Sequence, residues 1–385
     1  AAIGCAAVAL AAVGCGSSDD SSGGGGTGTA AGGGGDKGPF KMLAVLPLSG
    51  DIASIGDADR TAIQVGVDQI NKEGGILGQN VEIKFVDSAG TATQAVNVLQ
   101  KELSGGDYNF VIAGATSGEA VAMEPILQRE KVLSCTSAAA DVLNKTPTYL
   151  YGTSTLSSRI GGAVVEAVKA AGYKKVGAMF PDTELARSTL DAVKKAAADA
   201  GIELNAVIVD PTAIDLTTQM SKLRDGKPEA LILDGYGPVA TVMLKARATL
   251  GWDVPVIGDS SMGVNDFTSL VGTSALDGVQ LNMQQVDLAD SEVTKGEAFQ
   301  TFLTALKAKS PELPFGMQVY ADNYSCPLVA RAAAEKANST DGTAMRDALA
   351  QVSEGSQIKG WFLADQVYSS DENYPQYDLS TWWQT

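Results

Sequence analysis

The chain has 385 residues, enough for two or three domains, and its 45% hydrophobic and 19% charged content is that of a globular protein with a sizeable core. It carries 28 Lys and Arg against 45 Asp and Glu, a formal net charge of −17, which argues against a nucleic-acid partner and against charge-driven binding to anionic lipid. Histidine is absent, so Ser-His-Asp and Cys-His nucleophiles, His-ligated zinc and imidazole acid–base pairs are excluded, and no metal or cofactor is expected.

Residues 1–16 read AAIGCAAVALAAVGCG, an apolar run too short to span a bilayer and suited to the h-region of a secretory signal. Its end, Ala12-Val13-Gly14-Cys15, resembles the lipobox of bacterial lipoproteins, in which the signal is cut before the Cys and the thiol takes a diacylglycerol. Ala12 stands where Leu is usual, and Cys5 follows a similar Ala2-Ile3-Gly4. Cys15 is favoured because residues 16–38, GSSDDSSGGGGTGTAAGGGGDKG, have almost no apolar side chains and read as a flexible tether. A plain cleaved signal followed by a disordered start is the alternative. The reading is thus a signal and lipobox segment over 1–15, a tether over 16–38, and an extracytoplasmic protein held at the membrane through a lipid alone.

From residue 40 strands and helices alternate. FKMLAVLPLS predicts a strand; the next helix carries Ile63, Val67 and Ile70 at helical spacing and stops at Gly74-Gly75. NVEIKFVDS, NFVIAG and VLSC predict strands with helices between them, which implies a parallel sheet covered on both faces. The pattern restarts near Tyr149–Thr155 and continues through KKVGAMFPD, IELNAVIVD, PEALILDG and VPVIGD. VQLNMQQV follows as a strand, then helices over 293–309, 317–336 and 341–353, and a last strand around QIKGWFLA. The halves echo each other: Val86-Asp87, Thr93-Gln94 and Leu99 in one, Val209-Asp210, Thr218-Gln219 and Leu223 in the other. Export permits a disulfide between Cys135 and Cys326; a buried free thiol at Cys135 is the other reading.

Open α/β sheets bind ligands beyond the carboxyl ends of their strands, here Ser49–Gly56, Ala115–Gly118 and Thr136–Ala139. The second loop runs straight into a helix. Free N–H groups there, with the Thr116 and Ser117 hydroxyls, form an anion pocket without a formal positive charge; ordinary N-capping is the alternative. A rival motif is Gly235-Tyr236-Gly237-Pro238-Val239-Ala240 with Asp259 downstream, a dinucleotide-type fingerprint of an NAD enzyme. It lies on a late strand of its lobe rather than the first, Pro238 is unusual there, and a turn that needs glycines before a helix with Pro near its start is the plainer account, which leaves the NAD enzyme a remote alternative.

The stretch Leu48-Ser49-Gly50-Asp51-Ile52-Ala53-Ser54-Ile55-Gly56, and the helix ending Asp68-Gln69-Ile70-Asn71-Lys72-Glu73-Gly74-Gly75-Ile76-Leu77-Gly78, resemble the periplasmic binding proteins of the leucine/isoleucine/valine type. Asp87-Ser88 and the loop Phe110–Ser117 fit the same pattern, and the resemblance covers nearly all of 40–363. It implies two Rossmann-like α/β lobes with parallel-sheet cores, 39–150 plus 279–355 and 151–278 plus 356–385, crossed near 149–153, 276–281 and 354–360. It further implies a monomeric solute-binding protein of an ABC importer, with permease subunits as partners, closing about a hinge on a small branched-chain-type amino acid and catalysing nothing.

In this resemblance Ala115, Thr116 and Ser117, with Ser137, Ala138 and Ala139, hold the ligand's carboxylate. The ammonium position of the second lobe falls at Ser260, with Asp259 just before it and Asp234 on the preceding strand. Either Asp faces an ammonium or a hydroxyl, or both cap helices. The family's closing tyrosines become Ile55 and Leu185, leaving Tyr151, Tyr236 and Phe315 as candidate walls or plain core. With the ammonium side altered, a carboxylate or amide lacking an amine is the alternative ligand, and a sensory subunit the alternative role.

Overall fold

The computed structural model describes residues 38–264, 267–352, 357–363, 368–375 and 383–384. The expectations for residues 1–37, Cys15 included, lie outside them. In the first lobe the order is β1 (Phe40–Leu46), α1 (Ala53–Lys72), β2 (Val81–Asp87), α2 (Ala92–Gly105), β3 (Phe110–Ala113), α3 (Ser117–Glu130), β4 (Ser134–Thr136) and β5 (Leu150–Gly152). The five strands are parallel in the order β2-β1-β3-β4-β5. FKMLAVL is buried at all but Lys41 because β1 has neighbours on both edges and helices on both faces.

The second lobe begins with α4 (Ser157–Ala170) and runs through β6 (Lys175–Pro181), α5 (Glu184–Asp199), β7 (Glu203–Val209), α6 (Thr217–Asp225), β8 (Ala230–Leu233), α7 (Pro238–Thr249), β9 (Val256–Gly258), α8 (Phe267–Val271) and β10 (Val279–Met283). The chain then returns to the first lobe with α9 (Glu292–Lys295), α10 (Glu297–Lys309), α11 (Met317–Ala337) and α12 (Gly342–Leu349), and β11 (Trp383–Gln384) follows. The second sheet has the order β11-β10-β9-β8-β6-β7, parallel except for the β10–β11 pair. Strand order reverses at β1/β3 in one lobe and at β6/β8 in the other. Each reversal opens a crevice at the carboxyl end of its sheet, where ligands of such folds sit.

Several lobe assignments differ from the sequence expectation. Residues 279–283 belong to the second sheet, since Val279 pairs with Val256 and Leu281 with Gly258. The return to the first lobe therefore falls after Met283 rather than near 276–281. QIKGWFLA forms no strand over its described residues; Ile358, Trp361, Leu363 and Tyr368 instead join the first-lobe core with Phe302, Tyr324 and Leu328. Asn373 holds the next stretch to the same lobe: its Nδ2 donates to Leu143 O and Leu150 O at 3.0 and 2.6 Å, and Gly152 N donates to its carbonyl at 2.9 Å. The described residues from Ile358 to Tyr374 thus stay with the first lobe rather than crossing near 354–360, and of the described carboxyl-terminal residues only β11 lies in the second sheet.

Helix α11 is buried on nearly every side, its apolar residues serving the first-lobe core. A disulfide joins Cys326 on this helix to Cys135 on β4, with Cα atoms 5.6 Å apart. The thiol at Cys135 is therefore not free.

Candidate functional site

The loops at the two crevices, with the crossing segments and the start of α11, enclose a cavity of about 120 Å³. Among the expected residues, Ile55, Ala115, Thr116, Ser117, Ser137, Ala138, Ala139, Leu185, Tyr236 and Ser260 line it.

The anion-type wall is built at the start of α3. Gly114 takes φ +75°, and a Cβ there would lie 2.8 Å from Glu119 Cβ, so only glycine makes this turn. Thr116 is the N-cap: its Oγ1 accepts from Glu119 N at 3.3 Å, while Glu119 Oε2 accepts from Thr116 N at 3.0 Å, a capping box. Ser117 is therefore not the cap. Its oxygen accepts from Ala139 N and Ala140 N, both at 3.3 Å, which fuses the loops after β3 and β4. With its lone pairs committed, Ser117 presents its O–H as a donor to the cavity. The amides of Ser117 and Gly118, the first two of the helix, have no helical carbonyl to meet. Hydroxyl and amides together suit a carboxylate.

The second lobe contributes Ile160, Leu185, Tyr236, Ser260 and Ser261. Asp234 and Asp259 do not line the cavity. They lie behind this wall, each about 1% exposed and hydrogen-bonded to the other, and Asp259 Oδ1 also accepts from Ser261 N at 3.1 Å and Ser261 Oγ at 2.6 Å. Burial, and the neighbouring carboxylate in the case of Asp234, push their acidities weaker than usual. The sheltered pair leaves Asp259 no opening toward a ribose. Gly235-Tyr236-Gly237-Pro238 is a turn whose glycines take positive φ and whose Pro opens α7. Tyr236 projects from it to the cavity, its phenol pushed up to about 12 by burial.

Two other expected walls are core. Tyr151 is buried edge-on against Tyr368, ring centroids 5.0 Å apart. Phe315 packs on the first-lobe core, and the next residue, Gly316, reaches the cavity instead.

The acids and the amide absent from the sequence reading are Asp59, Asp287, Asp322 and Asn323, with Ser154 and Gln318 beside them. Asp59 comes from α1, Asp322 and Asn323 from α11, and Asp287 from the 3₁₀ turn Gln285–Asp287 after β10. Burial pushes the Asp59 and Asp322 carboxyls well up from the usual range, Glu119 adding to the effect at Asp59. Asp287 is raised to about 6 by burial, against the lowering effect of the α11 amides at Met317 and Gln318. Among the described residues no Lys or Arg lines the cavity. An adjacent Asp322-Asn323 pair within a helix buried on nearly every side was the one signal open to sequence reasoning. Among the described residues no cluster of acids and cysteines converges as a metal site, and no helix is long and apolar enough to cross a membrane.

Comparison with known proteins agrees with this architecture. The periplasmic binding protein family model matches residues 39–368. The Leu/Ile/Val-binding protein homolog 3 of Brucella melitensis is 27% identical over 345 residues, which cover 88% of this chain and 90% of that protein. The crystal structure of a type 1 periplasmic binding protein from Bordetella pertussis is similar with a TM-score of 0.80 at 19% identity, covering 90% of this chain and 96% of that one. A branched-chain amino acid transporter substrate-binding protein from Streptococcus pneumoniae, solved in complex with isoleucine, gives 0.74 at 20% identity over 86% and 93% of the two chains. At these identities the solved structures bear on the two-lobed α/β fold.

Proposed function

Because this chain belongs to the periplasmic binding protein family, we propose that it is the extracytoplasmic solute-binding component of an ABC importer, and that it takes a small amino acid of the branched-chain type. The observation that carries this reading is the cavity itself. It is lined from both lobes and has free amides and a hydroxyl at the α3 end, orphaned carboxylate oxygens elsewhere, and Ile52, Ile55, Ile160 and Leu185 between. Such a lining suits a zwitterion with an aliphatic side chain.

The mechanism is hinge closure. A ligand touching Ser117 in one lobe and Tyr236 in the other favours the closed arrangement over the open one, and the closed form is the one presented to permease subunits. No bond is made or broken. Lipidation at Cys15, with residues 16–38 as a tether, would hold the monomer at the membrane.

A thermal-shift panel on the full chain tests the reading. The compounds are the standard amino acids, small aliphatic and aromatic carboxylates, amides and NAD. A selective rise in midpoint with leucine, isoleucine or valine is expected. A rise confined to carboxylates without an amine, or to NAD, overturns it.

A further inference from the structure

The first-lobe side of the cavity is rich in acceptors that have no donor. Asp59 Oδ2, Asp287 Oδ2, Asp322 Oδ1 and Asn323 Oδ1 are all shielded from solvent and unpartnered, and all four residues line the cavity. Structural partners account for the rest of each carboxyl, and at Asp322 these are the Ser154 and Gln318 side chains. Asp59 Oδ1 accepts from Asn323 Nδ2 at 2.8 Å, and Asp287 Oδ1 accepts from Gln318 N at 3.0 Å, capping the start of α11. The amide of Asn323 is oriented by its donor group, which meets Asp59 Oδ1 and Val319 O, so its Oδ1 is an acceptor in search of a donor.

Native proteins rarely bury such groups unsatisfied. Here Asp59, Asp322 and Asn323 are each no more than 3% exposed. The chain has no histidine, and among the described residues no Lys or Arg lines the cavity, so the described wall supplies no cation to these acids. The Asp234–Asp259 pair also keeps one unpartnered oxygen, Asp234 Oδ2, but it is otherwise turned to Ser261 and to itself, and neither residue lines the cavity.

We propose that Asp287 and Asp322, with Asp59 and Asn323 beside them, hold the cationic N–H group of the ligand, and that the second-lobe acids Asp234 and Asp259 do not. This deepens the amino-acid reading above and rests on it. An ammonium has three donors and no acceptor, which matches the four unpartnered acceptor oxygens on these lining residues. With the carboxylate at Ser117, both charged ends of the ligand fall to the first lobe and the crossing that leads into it. Leu185, Tyr236, Ser260 and Ser261 then close over the remainder as the second lobe swings in. Binding order follows: the open first lobe captures the zwitterion, and closure adds apolar contact.

The test is calorimetric titration of the full chain at pH 7.5 with L-leucine and L-valine, each paired with its deaminated acid, 4-methylpentanoate and 3-methylbutanoate. The amino acid is expected to bind at least about 100-fold more tightly than its deaminated partner, as several lost charge-assisted hydrogen bonds require. This comparison needs no variant. Asp322→Asn and Asp287→Asn should weaken the amino acid about tenfold or more while leaving the deaminated acid unchanged, and Asp234→Asn should alter neither. Circular dichroism confirms that each variant is folded. Equal affinity for the amino acid and its deaminated acid overturns the inference while leaving a carboxylate importer standing. So does a loss of discrimination in Asp234→Asn with none in Asp287→Asn and Asp322→Asn. Failure of every amino acid in the thermal-shift panel overturns the proposed function, and this inference with it.

Discussion

Asn323 on α11 donates through Nδ2 to Asp59 Oδ1 on α1 at 2.8 Å, and the same amide reaches Val319 O at 3.0 Å. The two helices pack against each other in the first-lobe core, so this polar contact sits at the edge of an apolar interface that lines the cavity. Asn323→Ala leaves both Asp59 oxygens buried without a partner. The expected cost is about 1–3 kcal/mol of stability, the usual penalty for a buried group stripped of its donor. Urea denaturation at pH 7 reads it as a lower midpoint with unchanged slope. A midpoint equal to that of the parent protein would show that the bond contributes nothing.

Ser117 has a structural and a ligand-facing duty that one substitution separates. Its oxygen accepts from Ala139 N and Ala140 N, while its O–H faces the cavity. Ser117→Ala removes the acceptor of two buried amides and the donor of the anion wall together. Affinity for L-leucine should fall by about 1–3 kcal/mol, about 5- to 150-fold, and apo stability should fall as well. Ser117→Cys keeps a weaker donor and acceptor and should fall between the two. Titration calorimetry of the three proteins in parallel checks the ranking; identical affinities would remove Ser117 from the site.

The lobes were legible in the sequence because their strands are short apolar runs such as FKMLAVL and ALIL, closed by turns and followed by helical spacing. Such an alternation leaves only a parallel sheet with covered faces. The loops at the strand ends followed from that, and Ser117, Ser137 and Tyr236 with them. The acids were not legible in the same way. Ser260 lines the cavity while Asp259, one residue earlier, turns behind it to Asp234; the chain leaves β9 in a turn at Ser260 and Ser261, closed by Met262 N on Asp259 O at 3.2 Å, and no periodicity tells which side chain faces in. Asp322 and Asn323 lie on a helix far along the chain, and only its packing against α1 and β4 brings them to the loops after β3 and β4. The stretch 368–375 has no periodicity to read. Asn373 and Tyr374 hold it by hydrogen bonds to the first lobe, the latter from its hydroxyl to Ala138 O at 2.8 Å, and no composition rule anticipates such contacts.

The orphaned acids impose a cost on the empty protein, and its sign is fixed by the direction of their shifts. Burial raises the folded acidity constant of Asp322 well above its unfolded value. Below about pH 4 the carboxyl is protonated in both states and makes no difference. As pH rises the unfolded chain ionises first, so stability falls by up to about 1.4 kcal/mol per pH unit until the folded group ionises too. Asp322→Asn cannot ionise. Its apo form should therefore be more stable than the parent at pH 8, by a margin that shrinks toward pH 4, even as its amino-acid affinity drops. Thermal melts from pH 4 to pH 8 without ligand measure the margin; a margin independent of pH would mean that Asp322 titrates alike in both states.

The Cys135–Cys326 disulfide links β4 to α11 across 191 residues of sequence, with Ser137 two residues beyond one end and Asn323 three residues before the other. Closing so long a loop restricts the unfolded chain, and the resulting stabilisation is typically about 2–4 kcal/mol. Both sulfur-bearing residues are fully buried, so the folded protein should resist mild reductant and lose the bond only on unfolding. The paired substitution Cys135→Ala with Cys326→Ala should lower the thermal midpoint by several degrees. Because the bond also pins the Ser137 loop to the helix that carries Asn323 and Asp322, L-leucine affinity should fall with it, by less than in Ser117→Ala. Calorimetry of the paired variant at 10 °C, where it is still folded, separates the two effects. A lowered midpoint with unchanged affinity would make the disulfide a clamp on the fold alone; a loss of both would make it a clamp on the cavity wall.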